Sequence, residues 1–148
     1  MYRRRGERLE VLLVHPGGPY FARRDDGAWS IPKGEVRAGE DALSAALREF
    51  EEELAVKPSG EFLDLGEVRQ RGGKVVRAWA FEGEYDDSAP PRSNTVTLEW
   101  PPRCGRCAEF PEIDRAEFFD ADAARRKINP AQAAFIDRLC RDRSARLR

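Results

Sequence analysis

Two kinds of apolar spacing recur along this chain, one in short continuous runs and one helical. Leu9-Glu10-Val11-Leu12-Leu13-Val14 is a β-branched, apolar run closed by Pro16-Gly17-Gly18-Pro19, which predicts a buried strand followed by a turn. Asp25-Asp26-Gly27 supplies a second turn, and Trp29-Ser30-Ile31 a short extended piece before Pro32. Over about 41–54, Leu43, Leu47, Phe50 and Leu54 fall in one sector at 100° per residue, which predicts a helix. Residues 62–69 and 75–81 read as strands around Gln70-Arg71-Gly72-Gly73, whose paired glycines suit a hairpin turn with positive φ. Residues 83–95 are polar and read as a surface loop, 96–100 as a strand stopped by Pro101-Pro102, and 116–119 as another strand. The end is helical: 120–128, then Asn129 as a cap and Pro130 opening a last helix with the stripe Phe135, Ile136, Leu139 and Cys140. Strands and helices mix without regular alternation, repeat or linker, so the expected architecture is one α+β domain over 1–148.

Composition narrows the function. The 148 residues carry 26 Lys+Arg against 27 Asp+Glu, a net charge of -1, which leaves no basic excess for a general nucleic-acid partner. No apolar stretch reaches the length of a membrane span and no apolar segment follows the basic opening residues, so a cytoplasmic domain with no membrane partner is expected. Three cysteines do not make a disulfide framework. Cys104-Gly105-Arg106-Cys107 reads as a turn between two short strands, because a closed zinc site needs four ligands and only His15 and Cys140 remain. His15 ends a strand and reads as a packed or surface residue, with substrate contact as the alternative. Arg141, Arg143, Arg146 and Arg148 read as a solvated helix end.

The helix over 41–54 carries the chemistry. Glu49, Glu52 and Glu53 are related by three and four positions, so they share a sector away from the apolar one. Like charges at this spacing repel by a few tenths of a kcal/mol per pair. They also lie in the C-terminal half, where the helix dipole disfavours negative charge. Such local violations are expected at functional sites. A divalent cation reverses the sign of both effects, and hard oxygen ligands suit Mg²⁺ or Mn²⁺.

The surrounding spacing is more specific. Gly34, Glu40, Arg48, Glu49, Glu52 and Glu53, with Phe50 and Val56 at apolar positions, resemble the Nudix box: Gly, five residues, Glu, seven residues, Arg-Glu-apolar-x-Glu-Glu-x-Gly-apolar. At roughly one in ten per fixed letter over about a hundred windows, a chance match is on the order of 10⁻⁴. Trp29-Ser30-Ile31-Pro32-Lys33-Gly34 and Gly39-Glu40-Asp41 resemble the family's flanking residues, and most of the chain is covered if the flanking strands are counted. Two departures stand out. Ala55 occupies the box's last Gly, a left-handed position where Ala costs about 1 kcal/mol. The family's sheet also opens with a full strand before the segment equivalent to Tyr2-Arg3-Arg4, so a truncated first strand, or a start codon assigned too late, is expected.

The resemblance implies an α/β/α sandwich with a mixed sheet and hydrolysis of a nucleoside diphosphate linked to another group, by water attack on phosphorus. Carried over by position, Glu49, Glu52 and Glu53 would hold Mg²⁺ or Mn²⁺, with the Gly34 carbonyl as a further ligand. Arg48 would orient the carboxylates, and Glu40 would stabilise the loop-to-helix junction. Lys33 and Lys74 are candidate phosphate contacts; Tyr20, Phe21 and Tyr85 are candidate base contacts, of which Tyr20 is preferred over the core-like Phe21. Glu49 or Glu53 on the helix and Glu109 or Glu112 in the later loop are candidates for the general base. The Pro32-Lys33-Gly34 and Gly39-Glu40-Asp41 strings look most like the diadenosine tetraphosphate hydrolase branch, which implies a dinucleoside polyphosphate as the small-molecule nucleotide partner. A nucleoside triphosphate or oxidised nucleotide is the alternative. An RNA-processing enzyme and a catalytically silent Nudix-like nucleotide-binding module are the rivals.

Overall fold

The computed structural model describes residues 1–146; Arg148 of the C-terminal arginine set lies outside the described residues. Among them no helix is long and apolar enough to cross a membrane. The apolar run near the N-terminus forms the middle strand of a three-stranded antiparallel sheet, in which β1 (Tyr2–Arg5) and β7 (Ile113–Asp120) flank β2 (Arg8–Pro16). Val11 and Leu13 of β2 enter one hydrophobic cluster, Leu12 and Val14 the other. Burial on both faces explains why this strand is apolar without alternation.

Two further hairpins follow the same logic. β3 (Leu63–Arg69) and β4 (Val75–Ala80) pair antiparallel across Gly72 and Gly73, with φ of 88° and 86° as the paired glycines predict. β5 (Thr95–Glu99) and β6 (Cys107–Pro111) pair antiparallel, and the turn between them holds Cys104. Parallel contacts occur as isolated bridges: Tyr2 spans β2 and the continuation of β4, its N–H donating to the Phe81 carbonyl at 2.9 Å.

One helix covers one face and two cover the other. α1 (Ala42–Leu54) sets Phe50 and Leu54 against Leu12, Val14 and Phe81. α2 (Ala121–Lys127) and α3 (Ala133–Ala145) close the opposite face, where Phe135, Ile136 and Leu139 meet Val11, Leu13 and Trp29. Asn129 caps the turn Pro130–Gln132 ahead of α3. The layering is α/β/α, as expected. The β2–β7 pair brings the C-terminal end of β2 beside the start of β7, and this end of the sheet receives the segment leading into α1.

Candidate active site

Helix α1 starts where a cap permits it. Asp41 accepts hydrogen bonds from the Ser44 backbone N–H at 3.0 Å and the Ser44 hydroxyl at 2.6 Å. It ends at Ala55, whose φ of 56° and ψ of 29° are left-handed, with its N–H donating to the Glu51 carbonyl. The left-handed cost foreseen for Ala at this position is therefore present. Ala55→Gly should stabilise the fold by about 1 kcal/mol in urea denaturation, with catalytic parameters unchanged.

Arg48 organises the acidic face. Its Nε and Nη2 donate to the two Glu40 carboxylate oxygens at 2.8 and 3.0 Å, while Nη1 reaches Glu49 at 2.9 Å and Glu52 at 3.2 Å. Nη2 also donates to the Glu35 carbonyl, and Glu40 accepts the Arg37 N–H at 3.0 Å. One guanidinium thus ties the loop over 35–40 to two candidate metal ligands. The Arg48 hydrogen bonds, followed by the Arg37 N–H, hold the Glu40 carboxyl down at about 2. Because the folded value lies below the ordinary 4.5, this stabilisation is complete above pH 4.5 and is lost as pH falls toward 2. The stability difference between wild type and Glu40→Gln should accordingly shrink across that window in acid titrations followed by circular dichroism.

Glu53 behaves differently. It is only 7% exposed, and its Oε2 is buried with no hydrogen-bond partner. Burial first, then the charges of Glu112 and Glu49, push its carboxyl up to about 8, while Lys33 pulls back through its charge and its backbone N–H. Gly34 lies directly against Glu49: a Cβ built on it would stand 1.8 Å from the Glu49 carboxyl carbon. Only glycine allows this approach, which brings the backbone of residue 34 to the carboxylate group. Among the described residues no three acidic, His or Cys side chains already surround one cation position, since Arg48 gathers Glu49 and Glu52 while Glu53 turns inward. The donor set nevertheless fits a hard divalent ion: three carboxylates, one with an unpartnered buried oxygen, and a backbone in contact.

The later loop contributes unequally. Glu112 closes the base of the β5–β6 ribbon, its carbonyl accepting from Gly17 N–H at 2.9 Å and its N–H donating to the Asn94 carbonyl at 2.8 Å. Its charge acts on Glu53. Glu109 sits in β6 on the ribbon's exposed face, opposite Thr97, and is not brought into this group. Lys33 and Lys74 line a single, largely apolar cavity of about 310 Å³ that also touches Gly34. Tyr20 stands apart from that cavity, packed on Trp100. Tyr85 packs against the cluster that holds Phe50.

Two placements are set by partners distant in sequence. His15 is fully buried, with Nδ1 2.7 Å from Asp114 Oδ1 and Nε2 2.6 Å from the Arg24 carbonyl, so it pins the loop after β2 to the start of β7 and is packed rather than free for substrate. Glu112 reaches the site through strand pairing between distant segments, which local spacing does not encode. Gly17 is the trace of this packing in the sequence, since a Cβ there would sit 1.9 Å from the Pro111 carbonyl oxygen.

The α/β/α layers and an Arg-organised carboxylate helix entered through a glycine define a Nudix-type protein. The NUDIX domain family profile matches residues 1–139, and the chain belongs to that family. Two curated relatives carry the name RNA pyrophosphohydrolase: one from Roseobacter denitrificans, 46% identical over 52 residues, and one from Rhodospirillum rubrum, 43% identical over 61 residues. These matches cover 32% and 39% of this chain, and 32% and 35% of the relatives, so the similarity spans about a third of their length. A solved structure of a C. elegans Ap4A hydrolase binary complex superposes with a TM-score of 0.65 over 97% of this chain and 94% of that one, at 20% identity. It shares the fold.

Proposed function

We propose that this chain hydrolyses a pyrophosphate bond with Mg²⁺ or Mn²⁺, and that its substrate is a dinucleoside polyphosphate such as diadenosine tetraphosphate. One observation carries the reading. Glu53 is buried with an unpartnered oxygen beside Glu49 and Glu52, an arrangement that is unfavourable by itself and becomes favourable with a divalent cation. Glu49, Glu52, Glu53 and the Gly34 carbonyl would hold the ion. When bound, it screens the phosphates and makes an attacking water more acidic.

The remaining roles belong to the chain's own groups. Arg48 positions Glu49 and Glu52 and touches no substrate in this reading. Lys33 and Lys74 meet phosphate oxygens as point charges, and Tyr20 contacts a base. Glu112 accepts the proton from the attacking water, supported by its position against Glu53. Glu112→Gln should lower kcat by about 10²- to 10⁴-fold, the usual contribution of a general base. Glu109→Gln should leave kcat near wild type; the reverse pattern would move the base to Glu109.

A second reading, hydrolysis at the 5′ end of RNA, is favoured by the name of the two sequence relatives. Parallel assays on diadenosine tetraphosphate, ATP and a 5′-triphosphorylated RNA decide between them. The proposal expects the highest kcat/KM on diadenosine tetraphosphate. A higher value on RNA, weakening steeply with salt, would transfer the assignment to the second reading. Binding without turnover of any of the three would leave a silent module.

A further inference from the structure

The most exposed aromatic groups of the fold lie together, away from the carboxylates. Tyr20 is 54% and Trp100 36% exposed, with ring centroids 5.4 Å apart and planes at 78°. Trp100 stands at the end of the β5–β6 ribbon, and Tyr20 follows the turn after β2. The ribbon has two faces. Val96, Leu98, Ala108 and Phe110 are half-buried on one, where Gly18, at φ 91°, fits against Leu98 and Phe110. Gly17 presses on Pro111 so closely that no side chain is tolerated, so the loop carrying Tyr20 is fixed to the ribbon.

The other end of this ribbon is closed by Glu112, whose charge acts on Glu53. Trp100 is five strand positions beyond Thr95, so it stands roughly 17 Å from the ribbon's base at about 3.3 Å per residue. That separation suits the length of a polyphosphate chain with its sugar, and is too far for a group next to the cleaved bond. The charge at this end is positive. Arg103 and Arg106 in the turn and Arg23 beyond Tyr20 are exposed and, among the described residues, form no ion pair; Glu99 is the acidic neighbour. Exposed aromatic faces flanked by unpaired guanidinium groups hold a base by stacking and its phosphate by charge.

We propose that the tip of the β5–β6 ribbon, with Trp100 and Tyr20 between Arg23, Arg103 and Arg106, is a subsite for the second nucleoside of the substrate, the one farther from the cleaved bond. This deepens the proposed function and rests on it for the identity of the ligand. The subsite makes the ribbon a ruler: it favours a polyphosphate that ends in a nucleoside over one that ends in phosphate.

Equilibrium binding to the wild-type chain in EDTA, where turnover is suppressed, tests it with two probes. Diadenosine tetraphosphate and adenosine 5′-tetraphosphate share the polyphosphate and differ by one nucleoside. Trp100→Ala should weaken the first by about 5- to 100-fold and change the second by less than about two-fold. Trp100→Phe should retain most of the affinity, and Tyr20→Ala should weaken the first probe selectively, whereas the pair Arg103→Gln, Arg106→Gln should weaken both through the shared phosphates. Equal losses for both probes on removing either aromatic ring, or no loss for diadenosine tetraphosphate, would overturn the subsite. If Trp100→Ala disturbs the ribbon, Tyr20→Ala, in the loop after β2, decides alone. A 5′-triphosphorylated RNA dinucleotide serves as the third probe; selective loss there, with diadenosine tetraphosphate unaffected, overturns the proposal in favour of an RNA strand. Turnover with Mg²⁺ separates the two levels. Hydrolysis of diadenosine tetraphosphate without Trp100 dependence sinks the subsite alone, whereas Trp100-dependent binding without hydrolysis sinks the proposed function alone.

Discussion

Glu53→Gln is expected to lower kcat by about 10²-fold or more while leaving the fold as stable as wild type or slightly more so. The two outcomes follow from one environment. Burial and the neighbouring charges of Glu112 and Glu49 push the Glu53 carboxyl up to about 8, so near neutrality the folded chain holds it mainly protonated. Glutamine imitates that neutral form in shape and polarity, and it removes a group whose ionisation the interior opposes. It cannot supply the negative oxygen that a divalent ion requires. Glu52 is more exposed and is held by Arg48 at 3.2 Å, so Glu52→Gln should cost a similar factor in kcat with little change in stability. Steady-state kinetics with Mg²⁺ and thermal melts of each variant check both halves. Near-wild-type turnover in the two variants would remove the carboxylates from the chemistry.

The second large effect comes from the smallest substitution. A Cβ on residue 34 would lie 1.8 Å from the Glu49 carboxyl carbon and 2.2 Å from each of its oxygens. Gly34 is exposed and has no positive φ, so the backbone conformation itself suits alanine. The clash falls on the end of a flexible side chain, which can move aside at small cost in stability. Moving it breaks the 2.9 Å contact with Arg48 and shifts a candidate metal ligand by an ångström or more. Displacements of about 1 Å in a catalytic array cost about 10²-fold in rate. Gly34→Ala should therefore drop kcat by about that factor with a melting temperature close to wild type. A large loss of stability with unchanged kcat per folded molecule would show that Gly34 serves the turn and not the site.

Most of the site was legible because one helix encodes it. The spacing of Glu49, Glu52 and Glu53 fixes them on one face, and Arg48 reaches two of them from the neighbouring turn. The Asp41 cap and the left-handed Ala55 were also readable, since helix ends depend on a few adjacent residues. The α/β/α layering follows from β2, whose apolar run on both faces requires a cover on each side.

What escaped depends on partners distant in sequence. β6 is a short strand whose extent and register are set by its pairing with β5. The burial of Glu53 was not predictable, because glutamate at that helical position is ordinarily solvated, and the covering Lys33 loop and Glu112 come from separate segments. The split between Glu109 and Glu112 is one of position: Glu109 lies within β6 on the ribbon's exposed face, whereas Glu112 lies past its end, at the ribbon's base. The separation of Tyr20 from Lys33 and Lys74 has the same origin: the loop after β2 is bound to the ribbon, while both lysines line a cavity against β4.

The central claim is that these carboxylates serve metal-dependent cleavage of a phosphoanhydride. The direct measurement is product formation from diadenosine tetraphosphate by the purified chain with Mg²⁺ or Mn²⁺, with EDTA, and in a Glu52→Gln, Glu53→Gln double variant. Cleavage between phosphorus atoms with either metal, lost in EDTA and in the double variant, is the predicted result. Cleavage that persists in EDTA or in the double variant would contradict the account, as would no cleavage of diadenosine tetraphosphate, nucleoside triphosphates, nucleotide sugars or 5′-triphosphorylated RNA with either metal.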